Sequence, residues 1–207
     1  WFIDLSFFYQ IMKKLLGILV LGLFLITPSQ ANDIRDFQIE GMSIGDSLLD
    51  YVTKDEIEKR KKYFYKSKEY ASMSKGDSSF KVYEGFQVYF KDNDRKYIIQ
   101  SLDGMILYKN NIKDCYKKMD EIVLEMSDTF KNIAKKGKKD IERDPRYTGD
   151  PTGKTIVTRL SFWFDNEDRA SISCYDYSEE HGGLNNLTVG VQTKEQNDFL
   201  LNKAYHK

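Results

Sequence analysis

The spacing of hydrophobic residues changes several times along this chain, and each change predicts an element. Ile112, Tyr116, Met119, Val123, Met126, Phe130 and Ile133 recur at alternating intervals of four and three, the signature of an amphipathic helix with Lys113, Lys117, Asp120, Glu121 and Asp128 on its outer side. Asn111 stands at its N-cap with Asp114 three residues on, and Cys115 lies at the edge of the apolar stripe. Before this helix the period is two. Phe86, Val88 and Phe90 alternate with Gln87 and Tyr89, Asp92-Asn93-Asp94 interrupts, and residues 95–102 resume, which reads as a β-hairpin. After the helix the pattern predicts strands over 155–164, 169–177 and 186–193, the last with Leu187, Val189 and Val191 on one side. A Thr193/Gln196 capping box opens a final helix that packs through Phe199 and Leu200.

Residues 41–62, GMSIGDSLLDYVTKDEIEKRKK, carry two helix starts. Ser43 with Asp46 forms one N-cap pair, and Thr53 with Glu56 forms a capping box whose hydrophobic staple is Val52 and Ile57. Two short tandem helices are expected there. The segments YFKDNDRKYI (89–98) and WFDNEDRASI (163–172) align at an aromatic, Phe, Asp, Arg and a closing Ile, pointing to a repeated unit. The expected fold is therefore α+β: antiparallel sheet meanders with helices packed on one face, as two tandem helix-then-sheet units over 32–108 and 109–207 within one compact domain.

The opening GMSIGDSLLDY, followed by a second short helix and a strand meander, resembles the helix-helix-sheet module of small outer-membrane-assembly lipoproteins and of secreted β-lactamase-inhibitor proteins, the latter built as a tandem repeat of that unit. The resemblance covers residues 37–108, the second half following by analogy, and implies an envelope role. The lipid-bearing cysteine and the usual Gly-x-Pro after the second helix are absent. As a whole the chain resembles lysine- and asparagine-rich exported proteins of marine bacteria with small, AT-rich genomes, from which no activity carries over.

The front of the chain reads as an address. Lys13 and Lys14 form a positive n-region, Leu15 to Ile26 an apolar core, and Ser29-Gln30-Ala31 supplies small residues for cleavage, so 12–31 reads as a signal peptide and Asn32 as the mature start. Residues 1–11 read as upstream sequence translated ahead of Met12. The rival is a membrane anchor, but twelve residues make about 18 Å of helix against a hydrocarbon core of about 30 Å. A periplasmic or secreted protein without a stable membrane anchor after processing is expected. In that oxidising setting the two cysteines, Cys115 and Cys174, read as a disulfide closing a loop of about 60 residues. A reactive thiol needs a nearby base or a Cys-x-x-Cys spacing, and neither flanking segment offers one.

Charge narrows the function. Thirty-two basic and 32 acidic residues cancel, so no global field draws the protein to nucleic acid. The loop TGDPTGKT (148–155) imitates a phosphate-binding loop, but Thr148 replaces its first glycine and a strand rather than a helix follows. Lys131, Lys135, Lys136, Lys138, Lys139, Arg143 and Arg146 are diluted by acids and read as the solvated end of the long helix. Glu179-Glu180-His181 lacks metal-ligand spacing, and Asp92-Asn93-Asp94 reads as a hairpin turn. The aromatics of YFYKSKEY (63–70) fit either a binding face or a half-buried strand. No catalytic residue, metal site or cofactor is assigned. The expected function is non-catalytic binding, to an envelope protein or a small extracellular ligand. The alternatives are a secreted hydrolase using a carboxylate pair and a purely structural envelope protein.

Overall fold

Alternating apolar and polar residues make each strand two-faced, and the molecule is organised around that division. The computed structural model describes residues 33–109, 111–143 and 149–204; the leader and its cleavage site lie outside them. Strands β1 (Tyr70–Gly76), β2 (Gly85–Lys91) and β3 (Ile99–Leu107) form one meander, preceded by helix α1 (Lys54–Arg60). Helix α2 (Ile112–Thr129) is followed by two short strands, β4 (Ala134–Lys136) and β5 (Asp140–Glu142). A second meander follows, of β6 (Ile156–Phe164), β7 (Arg169–Asp176) and β8 (Asn186–Gln192), and then helix α3 (Lys194–Phe199) with a wider turn over Leu200–Ala204. All pairings are antiparallel, in the order β1-β2-β3-β8-β7-β6-β4, with β5 also on β6. The fold is α+β, and both meanders lie in one compact unit.

The apolar face carries Met73, Val88, Leu102, Val191, Ala170 and Phe162 along one cross-strand row, all buried. Helix α2 covers it with Cys115, Met119, Ile122, Val123 and Met126. At its C-terminus Phe130 meets Phe37, Phe162 and Phe164 with ring centroids 6.1, 5.6 and 5.1 Å away. Cys115 and Cys174 are disulfide-bonded and fully buried, fastening α2 to β7. The first meander is covered by the segment 34–57, where Ile34, Ile39, Leu48 and Ile57 are fully buried. Gly104 admits a close approach on this face, since a Cβ there would stand 2.7 Å from the Tyr83 ring.

Several elements differ from expectation for identifiable reasons. The first of the tandem helices shrinks to a 3-10 turn, Leu48–Asp50. Gly41 and Gly45 have φ of +82° and +91°, and Gly45 N–H bonds to Ile99 O at 2.9 Å, so the segment is drawn onto β3 instead of coiling. Asp46 accepts from Ser43 N at 2.9 Å, closing that turn. The second start holds: Thr53 Oγ1 accepts from Glu56 N, and Val52 and Ile57 are buried. Strand β1 begins only at Tyr70, the last residue of the YFYKSKEY tract. Helix α2 ends at Thr129, and Lys135, Lys136 and Asp140 lie in edge strands on β6 rather than in a helical tail.

Replacing Cys115 and Cys174 together by alanine frees a long loop in the unfolded chain. Urea denaturation is expected to show a loss of about 2–4 kcal/mol, and an unchanged midpoint would show that packing alone fixes α2.

Candidate functional site

The opposite face of the sheet is polar. Its side chains are the other half of each alternation: Ser101 and Asp103 on β3, Thr188, Gly190 and Gln192 on β8, Arg169, Ser171, Ser173 and Tyr175 on β7, and Arg159 and Ser161 on β6. The register sets them in rows. Asp103, Gly190, Ser171 and Ser161 form the middle row; Ser101, Gln192 and Arg169 flank it on one side, and Thr188, Ser173 and Arg159 on the other. Small side chains in the middle row leave a depression of about 470 Å³, within the range of small-molecule sites. Tyr65 and Tyr89 border it from one side, and Gln196, Asn197 and Leu200 of the C-terminal helix from another.

Asp103 is the unusual member. Gly190 makes room for it: a Cβ at Gly190 would stand 1.9 Å from Asp103 Oδ1. The half-buried carboxyl forms no hydrogen bond or close ion pair among the described residues. Desolvation pushes its pKa up to about 6, against the opposing pull of Arg159 and Arg169. Both guanidinium groups are seated on neutral groups of the same face. Arg159 donates from Nε to Ser173 Oγ at 2.9 Å and from Nη2 to Tyr175 OH at 3.3 Å. Arg169 donates to Gln192 Oε1 and lies 5.5 Å from the Trp163 ring centroid. The arrangement combines a desolvated acid, two fixed cations and several hydroxyls over a floor of small residues.

A second depression, about 490 Å³, lies at the sheet end beside Arg35, Asp168, Lys194 and Asp198. Its charges are already engaged: Asp168 accepts from Lys194 N at 2.7 Å, Lys194 Nζ pairs with Asp198 at 2.6 Å, and Arg35 pairs with Asp33 at 3.3 Å. The polar face is the better site because Asp103, unlike these groups, accepts no hydrogen bond among the described residues.

The residues singled out from sequence fall elsewhere, with one exception. In the TGDPTGKT loop, fully buried Asp150 accepts from Thr152 N and Oγ1, Thr155 N and Oγ1 and Ser178 Oγ, all at 2.8–3.0 Å. Desolvation opposes its ionisation, but hydrogen bonds from Ser178, Thr152 and Thr155 hold its pKa well below the usual carboxylate range. The loop is thus organised around an internal anion. Glu180 pairs with Lys154, and His181 stacks on Tyr177 with centroids 4.6 Å apart, so the Glu179–His181 cluster is dispersed. Asp92 accepts from Tyr63 OH at 2.6 Å, and Asp94 accepts from Lys96 N and Ile98 N in the turn. The exception is Tyr65 of the aromatic tract, which borders the depression. No motif marks Asp103, Arg159 or Gly190 as site residues, and Arg169 figures only in the repeated segment 163–172. Their signal was charge in mid-strand beside serine and glycine, at the polar positions of otherwise apolar alternations.

Comparison with family models, with curated proteins and with solved structures yields no match for this chain.

Asp103→Asn tests the electrostatics. A carboxyl whose folded pKa exceeds its unfolded value of about 3.9 loses stability as pH rises through the folded value. The variant is therefore expected to be more stable than the parent at pH 7, by up to about 3 kcal/mol, with the difference vanishing below about pH 4. Chemical denaturation at the two pH values checks this; equal stability at pH 7 would mean the acid is compensated.

Proposed function

We propose that this chain is an exported, non-catalytic binding protein whose small polar ligand occupies the depression on the polar face of the sheet. The observation that carries this reading is Asp103, held over Gly190 with no hydrogen-bonding partner among the described residues and facing two arginines across the floor of the depression. A desolvated acid of this kind costs folding free energy, and such costs concentrate where function requires them. Export is supported by the n-region, apolar run and small residues of 12–31, and by the buried disulfide, a bond favoured in oxidising compartments. Among the described residues no helix is long and apolar enough to cross a membrane.

A hydrolase is the second reading, because Glu142 joins Asp103 in lining the depression. Binding is preferred because Arg159 and Arg169 line the same depression as the two carboxylates, which offers a ligand charges of both signs.

Thermal denaturation with a panel of amino acids, sugars, carboxylates and phosphates is expected to reveal stabilising compounds. A ligand at a hundred times its Kd adds about 2.7 kcal/mol. Ser171→Trp, which fills the floor of the depression, is expected to abolish that gain while leaving the fold intact by circular dichroism. A gain of equal size in this variant would place the ligand elsewhere, and turnover of a glycoside or ester would favour the hydrolase. N-terminal sequencing of exported protein is expected to begin at Asn32; a start within or before the apolar run would remove the export reading.

A further inference from the structure

We propose that the depression selects a small zwitterion, an α-amino acid or short peptide, with its ammonium group at Asp103 and its carboxylate between Arg159 and Arg169. This deepens the polar-face reading above and rests on it. Asp103 on β3 and Ser171 on β7 share a row, separated by one strand, so their backbones stand about 10 Å apart. Arg169 is one side-chain position along β7 in one direction, and Arg159 is displaced in the other direction on β6. Acid and cations thus lie across the floor from each other rather than in contact. An amino acid separates its opposite charges by about 3 Å, so it can reach from Asp103 over Gly190 toward the guanidinium groups with a charge-assisted hydrogen bond of about 2.8 Å at each end.

The hydrogen-bonding needs also match. Among the described residues Asp103 accepts no hydrogen bond, and an ammonium group brings three donors. A carboxylate matches the planar donor fork of a guanidinium, and Ser171 and Ser173 lie in the floor beside both arginines. A multiply charged anion such as phosphate meets Asp103 and Glu142 in the same depression, whereas a simple cation meets two guanidinium groups. Only a ligand carrying both signs finds a complement at each end. Tyr65, Tyr89 and Leu200 give its side chain an aromatic and aliphatic wall, which favours an apolar residue.

Isothermal titration calorimetry at pH 7.5 on the exported protein, with L-phenylalanine, the dipeptide Phe-Leu, N-acetylphenylalanine, phenylalanine amide, succinate and inorganic phosphate, tests the assignment. Phenylalanine or Phe-Leu is expected to bind, and blocking either terminus of the bound compound is expected to weaken it at least tenfold. Asp103→Asn should narrow the gap between phenylalanine and its N-acetyl form, and Arg169→Gln the gap between phenylalanine and its amide. Equal binding of the blocked forms would overturn the proposal. So would binding of succinate or phosphate in place of the zwitterions, but that result would leave the polar-face reading standing if Ser171→Trp abolished it. Silence from all six probes would overturn the zwitterion assignment. If the wider thermal panel were also silent, the binding reading would fall with it.

Discussion

The antiparallel ladder between β3 and β8 is the constraint on which the rest of the molecule depends. Its register runs from Ser101 opposite Gln192 to Leu107 opposite Asn186 and joins two three-stranded meanders into one continuous sheet. Without this seam each meander would present an open edge and too small an apolar face to hold its helix. With it, Leu102 and Val191 meet under one cover and Asp103 comes to rest against Gly190 on the other side. The same ladder therefore completes the core and creates the depression.

Two-sidedness explains how these roles coexist. Because side chains alternate, a strand can spend one set of positions on burial and the other on chemistry, and a one-residue slip would exchange them. The disulfide between Cys115 and Cys174 guards against such a slip on β7, since it holds Cys174 toward α2 and so keeps Arg169, Ser171 and Ser173 on the polar side. The C-terminal helix then narrows that side: Phe199 packs on Tyr65 and Tyr70 with centroids 5.4 and 4.7 Å away, while Lys91 pairs with Glu195 at 2.5 Å and Lys203 with Glu69 at 3.2 Å. Charge pairs anchor this helix at the rim, and one aromatic ring seats it.

Much of this was legible along the chain, and the reason is local. The period of α2, the alternation of β2, β6, β7 and β8, and the Thr53 and Thr193 caps are properties of neighbouring residues, and they are present in the fold. The cysteine pairing followed from there being only two. Features that depend on distant partners were not legible. The 41–50 segment follows β3 rather than its own helical caps, Asp150 is defined by Ser178 across a hairpin, and Lys135 and Lys136 join β6 as an edge. The depression belongs to this second kind. Asp103, Gly190, Arg159 and Arg169 are scattered over four strands, and only the register brings them to one place.

The state of Asp103 is the point at which seam, face and site meet. Observing its carboxyl carbon by NMR while titrating the folded protein measures that state without perturbing it. The account predicts a midpoint near pH 6. A midpoint below about 4, in the range of an exposed or arginine-paired aspartate, would contradict it, because the acid would then already have its partner.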